Sequence, residues 1–251
     1  MVSLVELTEY LDEYLGIDRI PDYDGAHNGL QVENGGSVDR VLGAVDASQA
    51  AIDEAVDRKC RMLLVHHGLF WSGAAPLVGM RGRRLRALLR NDIAVYSAHL
   101  PLDVHPEIGN NTILGSLIGL SDPSGFAEYE GTAVGLVGTL SMELNALAAV
   151  LERELDTKVH TIAKGPPRTS RVAVLTGAGG SAVVEAHAAG ADTLVTGEGP
   201  HQSFFDAEEL EVNVVFAGHY ATETLGVTAL GEHLAERFDL DWTFFDHPTG
   251  L

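Results

Sequence analysis

The sequence predicts an α/β protein made of two similar α/β domains with mostly parallel sheets. Three observations predict it. Short runs rich in Val, Ile and Leu alternate with helical patterns along the whole chain, the alternation that builds parallel sheets covered on both faces. The pattern recurs in two comparable halves, parted by a cluster of turn residues. Four of the runs end in chemically capable residues, "VHHG", "SAHLPLD", "TGEG" and "AGH". Ligands in open parallel sheets collect outside the carboxyl ends of the strands, so these ends should converge on one site or a pair of facing sites.

The elements follow in order. Ser3 and Glu6 form a capping box, and Leu4, Leu7, Leu11 and Leu15 recur at helical spacing, so the chain opens with an amphipathic helix. A loop, "IPDYDGAHNGLQVENGGS", follows. Next come the strand "RVLGAV", a helix over 48–60, "MLLV", a helix over 80–91, "IAVYSA", and a helix after Asn110. The second half runs "AVGLVGTL", a helix over 141–155, "KVHTIA", "RVAVLTG", and a helix over 181–189. "DTLVTG", a helix near 201–210, "VNVVFAG", a helix over 222–237 and "DWTFFD" complete it. Turn residues in "LSDPSGFAEYEG", 120–131, place the boundary there, giving domains 1–125 and 126–251.

Composition bounds the partners. With 45% apolar residues the 251-residue chain can bury a substantial core. No apolar stretch approaches the roughly 20 residues of a membrane helix, and the acid-dotted N-terminus does not read as a signal peptide. The lone cysteine, Cys60, suits a reducing compartment, so a cytoplasmic location is expected. There are 36 acids against 16 Lys plus Arg, a net charge of −20. Such a surface repels phosphate backbones, arguing against whole-surface nucleic-acid binding, and fits a halophilic cytosol in which salt screens the self-repulsion. One stretch runs the other way. "RGRRLRALLR", 81–90, puts five arginines on a helix; it is either a solvated face or an anion-binding one, with nucleic acid the weakest reading.

The residues able to do chemistry sit at the strand ends. His66 and His67 are adjacent, and successive strand side chains point oppositely, so the pair cannot easily grip one ion unless the backbone turns, which Gly68 permits. Two ions remove the difficulty. Alone, the pair reads more simply as one buried histidine beside a surface one; its company changes that. His99 and Asp103 follow the next strand, and His219 and Glu223 lie four apart at a strand-to-helix junction. Carboxylates can bridge two cations while imidazoles serve each, a donor mix open to Zn, Mn, Fe, Ni or Mg. Glu223 also reads as a plain first-turn acid, which leaves His219 unexplained. The glycine stretch "LTGAGGS", 175–181, is either a tight turn or a phosphate cradle; it lacks the Lys and Ser/Thr of a P-loop.

Together "HNGLQV" (27–32), "VHHGLFW" (65–71), "HLPLDVHPEIGNN" (99–111), "TGEG" (196–199) and "GHYATETLGV" (218–227) resemble the dinuclear metal-centre hexameric protein family, Nif-three-like proteins often named GTP cyclohydrolase I type 2 homologues. The match runs in order over nearly the whole chain, in the short form without the inserted domain. The resemblance implies that His66, His67, Asp103, His219 and Glu223 hold two divalent metal ions per subunit, between the two domains, in a toroidal homohexamer. His27 stands where a small or apolar residue is expected, and Phe205 where some relatives carry His; both bear on substrate and leave the ligands untouched.

A dinuclear centre would favour hydrolysis near neutral pH. The expected function is a metal-dependent hydrolase of a nucleotide-like or phosphorylated small molecule. The alternative is a non-catalytic metal-binding hexameric scaffold or metal-handling protein. His99 and Glu198 are the catalytic candidates, and Asn28 and His201 the substrate-binding candidates, each also readable as a strand-end turn residue.

Overall fold

The computed structural model describes residues 1–71, 73 and 75–250. In chain order they form β1 (Val2–Ser3), α1 (Leu4–Leu15), β2 (Gly29–Val32), β3 (Ser37–Val38), β4 (Arg40–Asp46), α2 (Gln49–Asp57), β5 (Met62–His67), α3 (Gly79–Asn91), β6 (Ala94–Ser97) and α4 (Leu100–Asp103). Then follow α5 (Asn110–Ile118), β7 (Ser121–Tyr129), β8 (Thr132–Glu143), α6 (Leu144–Leu155), β9 (His160–Ile162), β10 (Arg168–Leu175), a short 3₁₀ turn, and α7 (Val183–Ala188). The chain ends with β11 (Thr193–Thr196), α8 (Ser203–Leu210), β12 (Asn213–Phe216), α9 (His219–Phe238) and β13 (Asp241–Phe244). Hydroxyl caps start the early helices: Glu6 N donates to Ser3 Oγ (3.1 Å), the cap the sequence predicts, and Ala51 N to Ser48 Oγ (3.1 Å).

Two compact units emerge, one from Met1–Leu102 with Gly226–His247, the other from Asp103–Leu225 with residues 248–250. This division differs from the expected boundary near 120–131. That stretch is β7, paired antiparallel with β8 down to Tyr129 opposite Thr132. Glu130 and Gly131 between them both take positive φ, 47° and 84°, the backbone of a tight hairpin turn. Its Pro, Ser and Gly are tolerated because β7 is the exposed edge of its sheet. Turn composition there marks an edge hairpin.

In the first unit β1 and β3 form a two-stranded ribbon, and a five-stranded sheet runs β13-β4-β5-β6-β2. The first four of these strands are parallel, and β2 adds antiparallel to β6. Leu42, Leu63, Val65 and Val95 pack with Ile52 of α2 and Leu88 of α3. Cys60 is buried there, and burial pushes its thiol up to about 11, so it remains an inert thiol at neutral pH.

The second unit holds a six-stranded sheet in the order β7-β8-β10-β11-β12-β9. Its centre β10-β11-β12 is parallel, and β7, β8 and β9 pair antiparallel. So the first sheet is mostly parallel and the second is mixed. Alternate residues serve two cores: Ala173, Leu194 and Val214 pack with Val183 of α7, while Val172, Val174, Val195 and Val215 pack with Leu114 of α5 and Leu147 of α6. Apolar cover on both faces is why these strands read as unbroken apolar runs. Among the described residues no helix is long and apolar enough to cross a membrane.

Candidate metal centre

In the first unit three imidazoles gather at the carboxyl ends of β5 and β6. His66, His67 and His99 each place a ring nitrogen so that all lie within 4.8 Å of one another, a group that could hold a metal ion. The adjacent rings of His66 and His67 stand 4.8 Å apart between centroids. They escape the opposed directions of a regular strand because β5 ends at His67 and the chain departs at Gly68. A Cβ on Gly68 would lie 2.2 Å from the Gln31 amide, and that same amide accepts from Leu69 N through Oε1 (2.7 Å). Any side chain at residue 68 would push the loop off its anchor.

Every imidazole of this group is held through Nδ1. His66 donates to Ala98 O (2.8 Å), His67 to Asp46 Oδ1 (3.0 Å) and His99 to Asp22 Oδ1 (2.8 Å). A carbonyl or carboxylate oxygen can only accept, so Nδ1 carries a proton in each ring, and whenever the ring is neutral its lone pair is on Nε2. This is the arrangement that orients metal-binding histidines and raises their basicity. Asp46 reaches His67 because β4 and β5 are parallel neighbours with these two residues paired in register.

Asp22 is a hub. Besides His99 it accepts from Tyr23 N (2.7 Å), Asn28 Nδ2 (2.8 Å) and Leu100 N (2.9 Å). Burial would raise its pKa, but the His99 bond and charge, with the Asn28 and Leu100 bonds, hold it below the usual carboxylate value.

The second unit supplies an anionic set. His219 opens α9, donating Nδ1 to Glu198 Oε1 (2.8 Å), with Nε2 3.1 Å from Glu223 Oε1 one turn on. Burial pulls its pKa down, but the bonds and charges of Glu223 and Glu198 outweigh it and push it up to about 9. The metal-free ring is therefore an imidazolium at neutral pH, and a cation shared with Glu223 would displace its proton.

Room for that carboxylate comes from the glycine stretch. Gly177 takes φ 65°, and a Cβ there would sit 2.2 Å from Glu223 Oε1, while its N–H donates to Thr222 Oγ1 (3.0 Å). Asp103, also buried, accepts at Oδ1 from Asn110 Nδ2 (2.7 Å) and Thr176 Oγ1 (3.2 Å). The stretch 175–181 thus seats carboxylates.

The family model described as DUF34/NIF3 (NGG1p interacting factor 3) matches residues 2–249. The chain belongs to the DUF34/NIF3 family. A relative from Pyrococcus abyssi, named GTP cyclohydrolase 1 type 2 homolog, is 44% identical over 249 residues and 98% of each chain. Among solved structures, the structural-genomics protein ybgI, of unknown function, shares 40% identity and a TM-score of 0.93 over 100% of both chains. A Thermus thermophilus protein shares 39% identity and a TM-score of 0.91 over the same coverage.

In this DUF34/NIF3 chain the remaining sequence candidates fall as follows. His99 stands inside the imidazole group, and Glu198 acts on His219. Asn28 bridges, giving Nδ2 to Asp22 and taking His99 N at Oδ1 (2.8 Å). His201 is exposed and meets only Phe205 edge-on among the described ring contacts. His105 is buried, its Nδ1 accepting from Ile108 N (3.2 Å) to hold a turn. Sequence reasoning missed Asp22, Asp46, Asn110 and Thr176. Asp46 and Thr176 were findable, since each ends or follows a strand; Asp22 sits in a loop whose fold the pattern does not encode.

Proposed function

We propose that His66, His67, Asp103, His219 and Glu223 together hold two divalent metal ions, and that the chain is a metal-dependent hydrolase of a nucleotide-like or phosphorylated small molecule, assembled as a homohexamer in the cytoplasm. The observation carrying this is that His66, His67 and His219 all have Nδ1 committed to an oxygen acceptor, leaving Nε2 as the nitrogen each can offer a metal. The name GTP cyclohydrolase 1 type 2 homolog, borne by relatives near 40% identity, agrees with it.

Bound divalent ions would supply Lewis acidity toward a phosphoryl or carbonyl oxygen. The chain's own residues do the rest. Asp46, Asp22 and Glu198 keep the Nδ1 protons in place. Asn110 and Thr176 aim Asp103. His99 is the residue able to hold or move a proton beside His66 and His67, with Asn28 and His201 as substrate contacts.

One observation favours the non-catalytic alternative. His99 lies close enough to His66 and His67 to serve as a third ligand, which would remove the imidazole acid–base group. The test is to measure bound metal per chain, then screen nucleoside triphosphates and phosphoesters with Mn or Zn. Turnover lost in Asp103→Asn with assembly intact supports the hydrolase; tight metal binding without turnover of any substrate supports the scaffold.

A further inference from the structure

We propose that a cavity beside α3 binds an organic phosphate with a flat, weakly polar body, and that Arg81 and Arg84 are its anion anchor. The cavity measures about 590 Å³, within the range of small-molecule sites. His27, Leu69, Phe70 and Leu77 form much of its wall, and no Asp or Glu lines it among the described residues. That is unusual in a chain with 36 acids against 16 Lys plus Arg.

Arg84 Nε is buried with no hydrogen-bond partner among the described residues. Among the described residues Arg81 makes one long bond, Nη1 to Gly73 O at 3.5 Å. A buried N–H without a partner is costly, and both half-buried arginines line the cavity, where an anion would meet their guanidinium groups. Two guanidinium forks match the several oxygens of a phosphomonoester better than the two of a carboxylate. The body of the ligand meets His27 and Phe70, whose rings pack edge to face at 5.9 Å and 89°, a corner suited to a flat ring. This gives the arginine-rich helix and the unusual His27 a common use.

The cavity adjoins the imidazole group, because Asn28, which lines it, also holds His99. That the occupant is the substrate rests on the hydrolase reading; that it binds does not.

The experiment is calorimetric titration of the full chain with naphthyl phosphate, naphthoate, naphthol and inorganic phosphate, with bound metal measured on the same samples. Naphthyl phosphate should bind on the order of tenfold more tightly than each of the other three. Arg81→Ala and Arg84→Ala should each weaken it by about tenfold or more without changing naphthol binding. Arg84→Lys should fall between, and Arg83→Ala, at an exposed position off the cavity, should match wild type. Naphthyl phosphate binding no tighter than naphthol, naphthoate equalling it, or arginine variants that fold and bind like wild type would each overturn the assignment. A chain that holds no metal yet binds naphthyl phosphate through the arginines would sink the hydrolase reading alone.

Discussion

The two units offer opposite chemistries at their strand ends. The first presents imidazoles, each fixed by an Nδ1 hydrogen bond to a carboxylate or carbonyl. The second presents Asp103, Glu223 and a His219 flanked by carboxylates on both nitrogens. Nitrogen ligands favour borderline metals such as Zn and Fe, whereas oxygen ligands accept harder ions as well. In the second set the bonds and charges of Glu223 and Glu198 keep a proton on His219, whose pKa is pushed up to about 9.

The largest effect expected from breaking this contrast is on metal affinity. His66→Ala with His67→Ala, or Asp103→Asn with Glu223→Gln, should each weaken binding by more than about a hundredfold, exceeding what loss of an outer hydrogen bond costs. Competition with a colorimetric chelator checks it. Removing the tethers instead, by Asp46→Ala, Asp22→Ala or Glu198→Ala, should cost roughly ten- to a hundredfold, because the ligand stays but its tautomer and aim are released.

Gly177→Ala should destabilise the metal-free chain by about 1–2 kcal/mol, since the left-handed backbone and the Glu223 carboxylate both oppose a Cβ. Urea unfolding measures it, and the same substitution at Gly36, whose Cβ would meet nothing, isolates the backbone part.

The smallest effect separates the units by pH. His219 is raised from an unfolded value near 6.5 to about 9. Its stabilisation is therefore complete below about pH 6.5 and lost as pH rises through about 9. Asp22 is lowered, so its contribution is present above its unfolded value and lost as pH falls through the folded one. Melting of the metal-free chain should thus decline on the alkaline side in wild type and less so in Glu223→Gln, while Asp22→Asn should blunt only the acid side.

Much of this was legible in the chain. Unbroken apolar runs with helices between them encode covered parallel strands, and His66, His67, His99, His219 and Glu223, all noticed at strand ends, are among the side chains of the candidate metal groups. Three features were not. The hairpin of β7 and β8 hid because edge strands tolerate the same Pro, Ser and Gly that signal loops. Asp22 hid because its partners Asn28, His99 and Leu100 are brought to it by a loop. The meaning of "LTGAGGS" hid because close approach of a carboxylate leaves no mark distinct from that of a phosphate. His27 and the arginines of α3 were visible, but only the cavity gives them a shared role.

The most direct measurement is the number of metal ions retained per chain, by plasma mass spectrometry, after loading the 251-residue chain with Zn or Mn and removing loosely held metal. The expected result is two ions in wild type, with loss in both the His66→Ala/His67→Ala and the Asp103→Asn/Glu223→Gln variants. A chain that retains none, or that retains as much in both variants as in wild type, would contradict the proposed two-ion centre.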